Sequence, residues 1–176
     1  MSSTYEKIVT TTLGSNGALS FTSIPATYTD LILVAYAEGY YTASSYDAVN
    51  LRLNNDTGNN YSYTAIEGNG SSASSSRSTR GIYGQYGAIV NVNSTNDGKF
   101  SNFIIHFMNY SSTTTLKTYI SRSSALGSSA GGSVHALVSL WNSTAAINRI
   151  DLSPASSGGV GFLAGSIFTL YGIKAE

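Results

Sequence analysis

A chain of 176 residues fits one ordinary domain and can bury about two-thirds of its unfolded surface around a single core. Its residues are 10% charged and 41% apolar with a formal net charge of zero, which excludes a disordered polyelectrolyte and any nucleic-acid binder driven by phosphate neutralisation. With no cysteine there are no disulfides, thiolate metal sites or cysteine nucleophiles, and the redox compartment stays open. The longest apolar run, residues 31–37, is far short of the roughly 20 a membrane helix needs. The N-terminus MSSTYEKIV lacks the basic-then-apolar pattern of a secretion signal, so the chain reads as soluble and unsecreted.

In place of charge the chain uses Ser, Thr, Asn, Gly and Tyr, with 18 Gly and 13 Tyr against 2 Pro, a vocabulary of pleated strands and turns. Residues 6–13 and 18–24 flank Ser15-Asn16-Gly17, and Asn-Gly predicts a hairpin because both residues tolerate positive φ. Pro25 closes the second strand. Further strands are expected at 30–37, 48–54, 61–66, 81–92, 100–110, 115–123, 133–141, 147–152 and 162–173. The expectation is a single-domain, all-β, antiparallel sandwich of jelly-roll type, roughly 8–11 strands with little or no helix. A short polar arm at residues 1–4 precedes the domain at 5–176.

Four connectors stand out. Residues 68–79, GNGSSASSSRST, read as a low-complexity loop at the upper length limit for a compact domain. The others are 38–47, 124–132 and 153–161. The first of these carries Tyr40, Tyr41 and Tyr46 without strand periodicity, and loop tyrosines suit contact surfaces because they give area at low entropic cost.

Motifs of catalysis are sparse. Gly127-Ser128-Ser129-Ala130-Gly131 has the spacing of a nucleophile elbow, but the elbow needs a helix after the serine and a strand is expected there. His106 and His135 lie in apolar strands without a carboxylate nearby in sequence, which reads as hydrogen-bonded core or interface histidine. Residues 54–60 echo a calcium loop, yet Ala65 occupies the twelfth position, where a bidentate acid belongs, and a polar turn is the simpler reading. Gly68-Asn69-Gly70 has the glycines of a dinucleotide fingerprint without its strand–helix unit. The glycosylation sequons at Asn93 and Asn142 are what such a composition yields by chance. No catalytic, cofactor or metal residue is therefore assigned, and the chain is not read as an enzyme.

Several strands are apolar on both faces. Residues 29–37 place Leu31, Leu33 and Ala35 opposite Ile32, Val34 and Tyr36, and residues 102–110 place Phe103, Ile105 and Phe107 opposite Ile104 and Met108. In GSIFTLYGI, residues 165–173, Ile167, Thr169, Tyr171 and Ile173 oppose Phe168 and Leu170. A sandwich covers one face of each sheet, and no helix is expected to cover the other. The second face then needs cover from long loops or, the favoured reading, from another copy of the chain, and Ile32, Val34, Tyr36, Ile167, Tyr171 and Ile173 join the three loop tyrosines as candidate interface residues.

The segments FTSIP (21–25) with YTDL (28–31), LRLN (51–54) with TGNNYSY (57–63), IIH (104–106) with NYS (109–111), KTYISR (117–122), LWNSTAAI (140–147) and FLAGSIFTLYGI (162–173) resemble a family of tailed-phage virion proteins common in cyanophages. The resemblance covers most of the chain and weakens at 38–47, 71–80 and 125–132. It implies a jelly-roll sandwich that serves as a capsid decoration, or cement, protein, usually a homotrimer, or as a module of tail fibres. It implies no catalytic residues.

Because the domain starts within a few residues of Met1 and Glu176 lies just past the last strand, nothing remains for a fibre shaft. The expectation is a cement protein made in the host cytoplasm and placed on the outer capsid surface. There it would bridge subunits of the major capsid protein at high effective concentration. The alternative is an appendage module for host-surface glycans, with tyrosines and Trp141 as stacking platforms.

Overall fold

A computed structural model describes residues 4–41, 46–92, 99–126, 132–156 and 158–174, with the backbone alone at 85–87. Twelve strands follow in chain order: β1 (Tyr5–Thr12), β2 (Leu19–Phe21), β3 (Asp30–Gly39), β4 (Tyr46–Leu53), β5 (Tyr61–Gly68), β6 (Ala73–Gly81), β7 (Gly84–Val92), β8 (Ser101–Met108), β9 (Lys117–Leu126), β10 (Gly132–Trp141), β11 (Ile150–Pro154) and β12 (Ile167–Ile173). Among the described residues every regular element is a strand.

The strands form two layers. The larger is antiparallel in the order β1-β12-β3-β8-β9-β10-β5-β6, and the smaller runs β2-β11-β4-β7. They join at the end of β3, where Glu38 and Gly39 pair in parallel with Asn91 and Val92 of β7. From there β7 crosses the inner face of β8, β9 and β10. The all-β expectation holds as a β-sandwich-like fold of twelve strands. Jelly-roll connectivity is a finer statement and belongs to the proposal below.

The core sits between the layers. Leu31, Leu33, Phe103, Ile105, Phe107, Phe168 and Leu170 from the larger layer meet Val49, Leu51, Leu53, Val90, Ile150 and Leu152 from the smaller, all buried. Each such side chain contributes about 1.5–3 kcal/mol on burial. Aromatic rings knit the centre, with Phe162 and Phe168 centroids 5.0 Å apart and Phe107 and Tyr119 5.4 Å apart.

Polar groups inside are stitched to the backbone, as burial requires. Asn91 donates from Nδ2 to Lys99 O at 2.6 Å and accepts at Oδ1 from Leu126 N at 2.7 Å, tying β7 to β9. Lys117 is fully buried, with Nζ donating to Thr115 O at 2.6 Å and Thr144 O at 3.1 Å. Desolvation pushes its ammonium below the ordinary lysine value.

Four local expectations are corrected. The predicted Asn-Gly hairpin is not one, because β1 pairs with β12 in the larger layer while β2 pairs with β11 in the smaller. Gly17 exchanges backbone hydrogen bonds with Phe162 at 2.9 and 2.7 Å, and Asn16 Oδ1 accepts from Ala164 N at 3.0 Å, so this turn passes the chain between layers. The serine-rich connector 68–79 is largely strand: β6 pairs with β5, and its Ser and Arg residues suit an edge exposed on both faces.

Residues 162–166 precede β12 rather than belonging to it, with Gly161 and Gly165 at positive φ of 88° breaking the extended run. Tyr46 opens β4 instead of lying in a loop. The elbow-like motif at 127–131 and the sequon at Asn93 lie outside the described residues.

Candidate functional site

The outer face of the larger layer is built by register. One row across it reads Tyr171, Ile32, His106, Ile120, Val138, Thr64, and the next reads Thr169, Val34, Ile104, Arg122, Ala136, Ile66. A third begins at Ile167 and Tyr36 and continues through Asn102, Ser124 and Val134. The six strand residues expected at an interface, Ile32, Val34, Tyr36, Ile167, Tyr171 and Ile173, therefore share one surface on the neighbouring strands β3 and β12.

That surface extends beyond them. Ile66 and Val134 are each 62% exposed, and Ile120, Val138 and Leu126 are about half exposed. Of the eleven exposed large apolar side chains among the described residues, nine lie on this face, so it is a patch rather than scatter. Shallow depressions of about 570, 330 and 360 Å³ run over β5 and β6, over β8 to β10, and over β5 and β10 respectively.

Both faces of β9 and β10 mix polar and apolar side chains. Their inward residues include Lys117, Ser121, Ser123, Ser133, His135 and Ser139, while Ile120, Leu126, Val134 and Val138 point outward. A one-residue slip would exchange the two sets. The inward register is held by the largest members of that set, since Tyr119, Leu137 and Trp141 are buried there. Ile66, Ile120, Val134 and Val138 were missed in the sequence reading, although GSVHALVSLW carries the same two-faced signal as β3.

The loop tyrosines do not gather on this face. Tyr40 and Tyr41 follow β3 and are half-buried, with Tyr40 N donating to Gly161 O at 3.1 Å. Tyr46 sets its ring edge against His135, centroids 6.0 Å apart.

Both histidines meet carboxylates that only the fold brings near. His106 Nε2 lies 3.2 Å from Asp30 Oδ2 on neighbouring strands. His135 Nε2 lies 3.4 Å from Glu67 Oε2, and burial pushes its imidazole below the ordinary value while Glu67 opposes the shift. Neither pair recruits further ligands: among the described residues no three His, Asp or Glu side chains converge as a metal site would require.

The calcium-like loop is occupied by its own donors. Asp56 accepts from Trp141 Nε1 at 2.7 Å, Asn60 Nδ2 at 2.9 Å and Gly58 N at 2.8 Å. Burial alone would raise the Asp56 carboxyl, but these bonds and the Arg52 charge bring it below the usual range. Trp141, 2% exposed, is a buried strut and no stacking platform for glycans.

On the opposite side, the outer face of the smaller layer holds a polar cleft of about 270 Å³. Arg52, Asp151 and Ser20 form one row across β4, β11 and β2. Arg149 grips Asp151, with Nε at 2.8 Å from Oδ2 and a terminal nitrogen at 2.8 Å from Oδ1, and Ser20 Oγ donates to Oδ1 at 2.5 Å. The Arg52 guanidinium sits 4.4 Å above the Tyr83 ring centroid.

No helix of the described residues is long and apolar enough to cross a membrane. No protein-family model matches the chain, and no curated protein is similar to it.

Proposed function

We propose that this protein is a structural component of a tailed-phage virion that works as a homo-oligomer, with the outer face of its larger layer as the contact between copies. The observation that carries the reading is the apolar content of the outward face, where β9 and β10 direct Ile120, Val134 and Val138 to solvent although serines take inward positions on the same strands. The virion assignment rests on the sequence resemblance set out above, and the jelly-roll connectivity belongs to the same proposal.

Magnitudes decide how tight the contact can be. Covering half-exposed Val, Leu and Ile side chains stabilises by about 1 kcal/mol each at 25 cal/mol/Å². Seven such residues on each of two facing copies give on the order of 14 kcal/mol. Association costs about 4–15 kcal/mol in lost freedom and side-chain ordering. The balance favours association only when most of the patch engages at once. In the resembling family the oligomer is usually a trimer.

On a capsid, such a trimer would bridge neighbouring major capsid protein subunits from the outer surface. Each contact made raises the effective concentration for the next, and the shell gains stability by linkage. Quantitative mass spectrometry of purified particles tests the location. Hundreds of copies per virion fit the cement role, whereas about a dozen place the protein in the tail and overturn it.

A further inference from the structure

The polar cleft over β4, β11 and β2 lies on the other side of the sandwich from the association face, so whatever it does is independent of oligomerisation. Two guanidiniums, Arg52 and Arg149, line it with one carboxylate, Asp151, which Arg149 already holds with three contacts, while Arg52 reaches Asp151 and Asp56 only through its charge. The Arg52 side chain makes no hydrogen bond and no ion pair with a described residue, and its Nε is buried without an acceptor. Two residues along the same strand, Asn50 Oδ1 is buried without a donor. An orphaned donor and an orphaned acceptor of this kind are each costly in a folded chain.

From these residues we infer that the cleft binds a single sugar acid, with the ligand carboxylate on the terminal nitrogens of the Arg52 guanidinium and its hydroxyls on Asp151 and Ser20. With its central carbon held 4.4 Å over the Tyr83 ring, the Arg52 guanidinium can offer a nitrogen fork to a planar carboxylate, the geometry that pairs two parallel N–H donors with two oxygens. Neighbouring acceptors and donors in one row suit the alternating hydroxyls of a sugar better than an apolar acid. Asp151 in that row disfavours a doubly charged phosphate more than a singly charged carboxylate. At about 270 Å³ the cleft falls below the size of sites for drug-sized ligands, which matches one ring rather than a chain of sugars.

Titration of the ¹⁵N-labelled full chain with sodium D-glucuronate, D-glucose and sodium acetate tests the assignment. The expected result is saturable shifts at residues 50–55 and 149–153 with glucuronate, with glucose and acetate each weaker by about tenfold or more. Arg52→Gln and Ser20→Glu should each weaken glucuronate binding by about tenfold or more, the second by placing a new carboxylate at an exposed position of the cleft mouth. Ser20→Glu decides the matter if Arg52→Gln fails to fold. The inference is overturned if glucuronate does not saturate, if glucose or acetate binds equally well, or if binding survives in a folded variant.

Discussion

The Trp141 indole N–H donates to Asp56 Oδ2 across 2.7 Å, joining the end of β10 to the turn after β4. The same carboxylate takes Asn60 and Gly58, so one side chain organises the turn and anchors the largest aromatic of β10. Stacking of Trp141 on Tyr61, with centroids 6.5 Å apart, extends the anchor into β5. Tyr61 in turn brackets Leu53, accepting from its N at 3.0 Å, and burial pushes the Tyr61 phenol up to about 12.

Asp56→Ala leaves three donors without their acceptor and should cost about 2–3 kcal/mol, a fall of roughly 5–10 °C in Tm for a domain of this size. Tryptophan emission should shift to the red as the indole loses its fixed site. Thermal denaturation followed by fluorescence checks both, and an unchanged melting point would contradict the anchoring role.

Gly172 on β12 lies beneath Tyr28: a Cβ added there would sit 2.3 Å from ring carbons. Gly172→Ala should therefore destabilise by about 1–3 kcal/mol through overpacking. If the clash with the ring is the cause, Gly172→Ala combined with Tyr28→Ala should cost less than the sum of the two singles in a double-mutant cycle of chemical denaturation. Additive costs would refute it.

Acid should weaken the fold in two stages. His135 is held below its ordinary value of 6.5 by burial, so the unfolded chain takes up its proton first as pH falls. The contribution of neutral His135 is complete above 6.5 and is lost as pH drops below it. Asp56 and Asp151 are held below their ordinary 3.8, so their contribution is present above that value and is lost as pH falls through and below it. Melting curves from about pH 8 to pH 3 should show both limbs, and His135→Gln should flatten the upper one only. Persistence of the upper limb in that variant would assign it elsewhere.

Much of the fold was legible because strand periodicity is local. The two-faced patterns of β3, β8 and β12 were visible as alternation, and the register of β3 with β12 puts Ile32, Val34, Tyr36, Ile167, Tyr171 and Ile173 on one surface. Which strands pair was not legible, because Asn16-Gly17 has hairpin chemistry whether or not its flanking strands are partners. The serine run of β6 was read as loop since an edge strand with little to bury has no apolar alternation to reveal it. Nor could alternation say which face of β10 turns inward, a choice made by Leu137, Trp141 and the distant Asp56. The polar cleft was invisible for the same reason: Arg52, Asp151 and Ser20 meet only by register.

Two paired positions at the centre of the outer face, Ile120 and Val138, make the association claim easy to perturb. Ile120→Lys with Val138→Lys replaces apolar groups already about half exposed, so the fold should survive with near-UV and far-UV circular dichroism unchanged. Self-association should be lost. Retained assembly in the double variant would move the interface to another surface.

Sedimentation equilibrium of the purified chain over a wide concentration range is the most direct test of the central claim. A reversible or stable oligomer, trimeric by the resemblance, is the result predicted by a large layer whose outer face is apolar and whose inner face on β9 and β10 is partly polar. A well-folded monomer persisting to high concentration would contradict it.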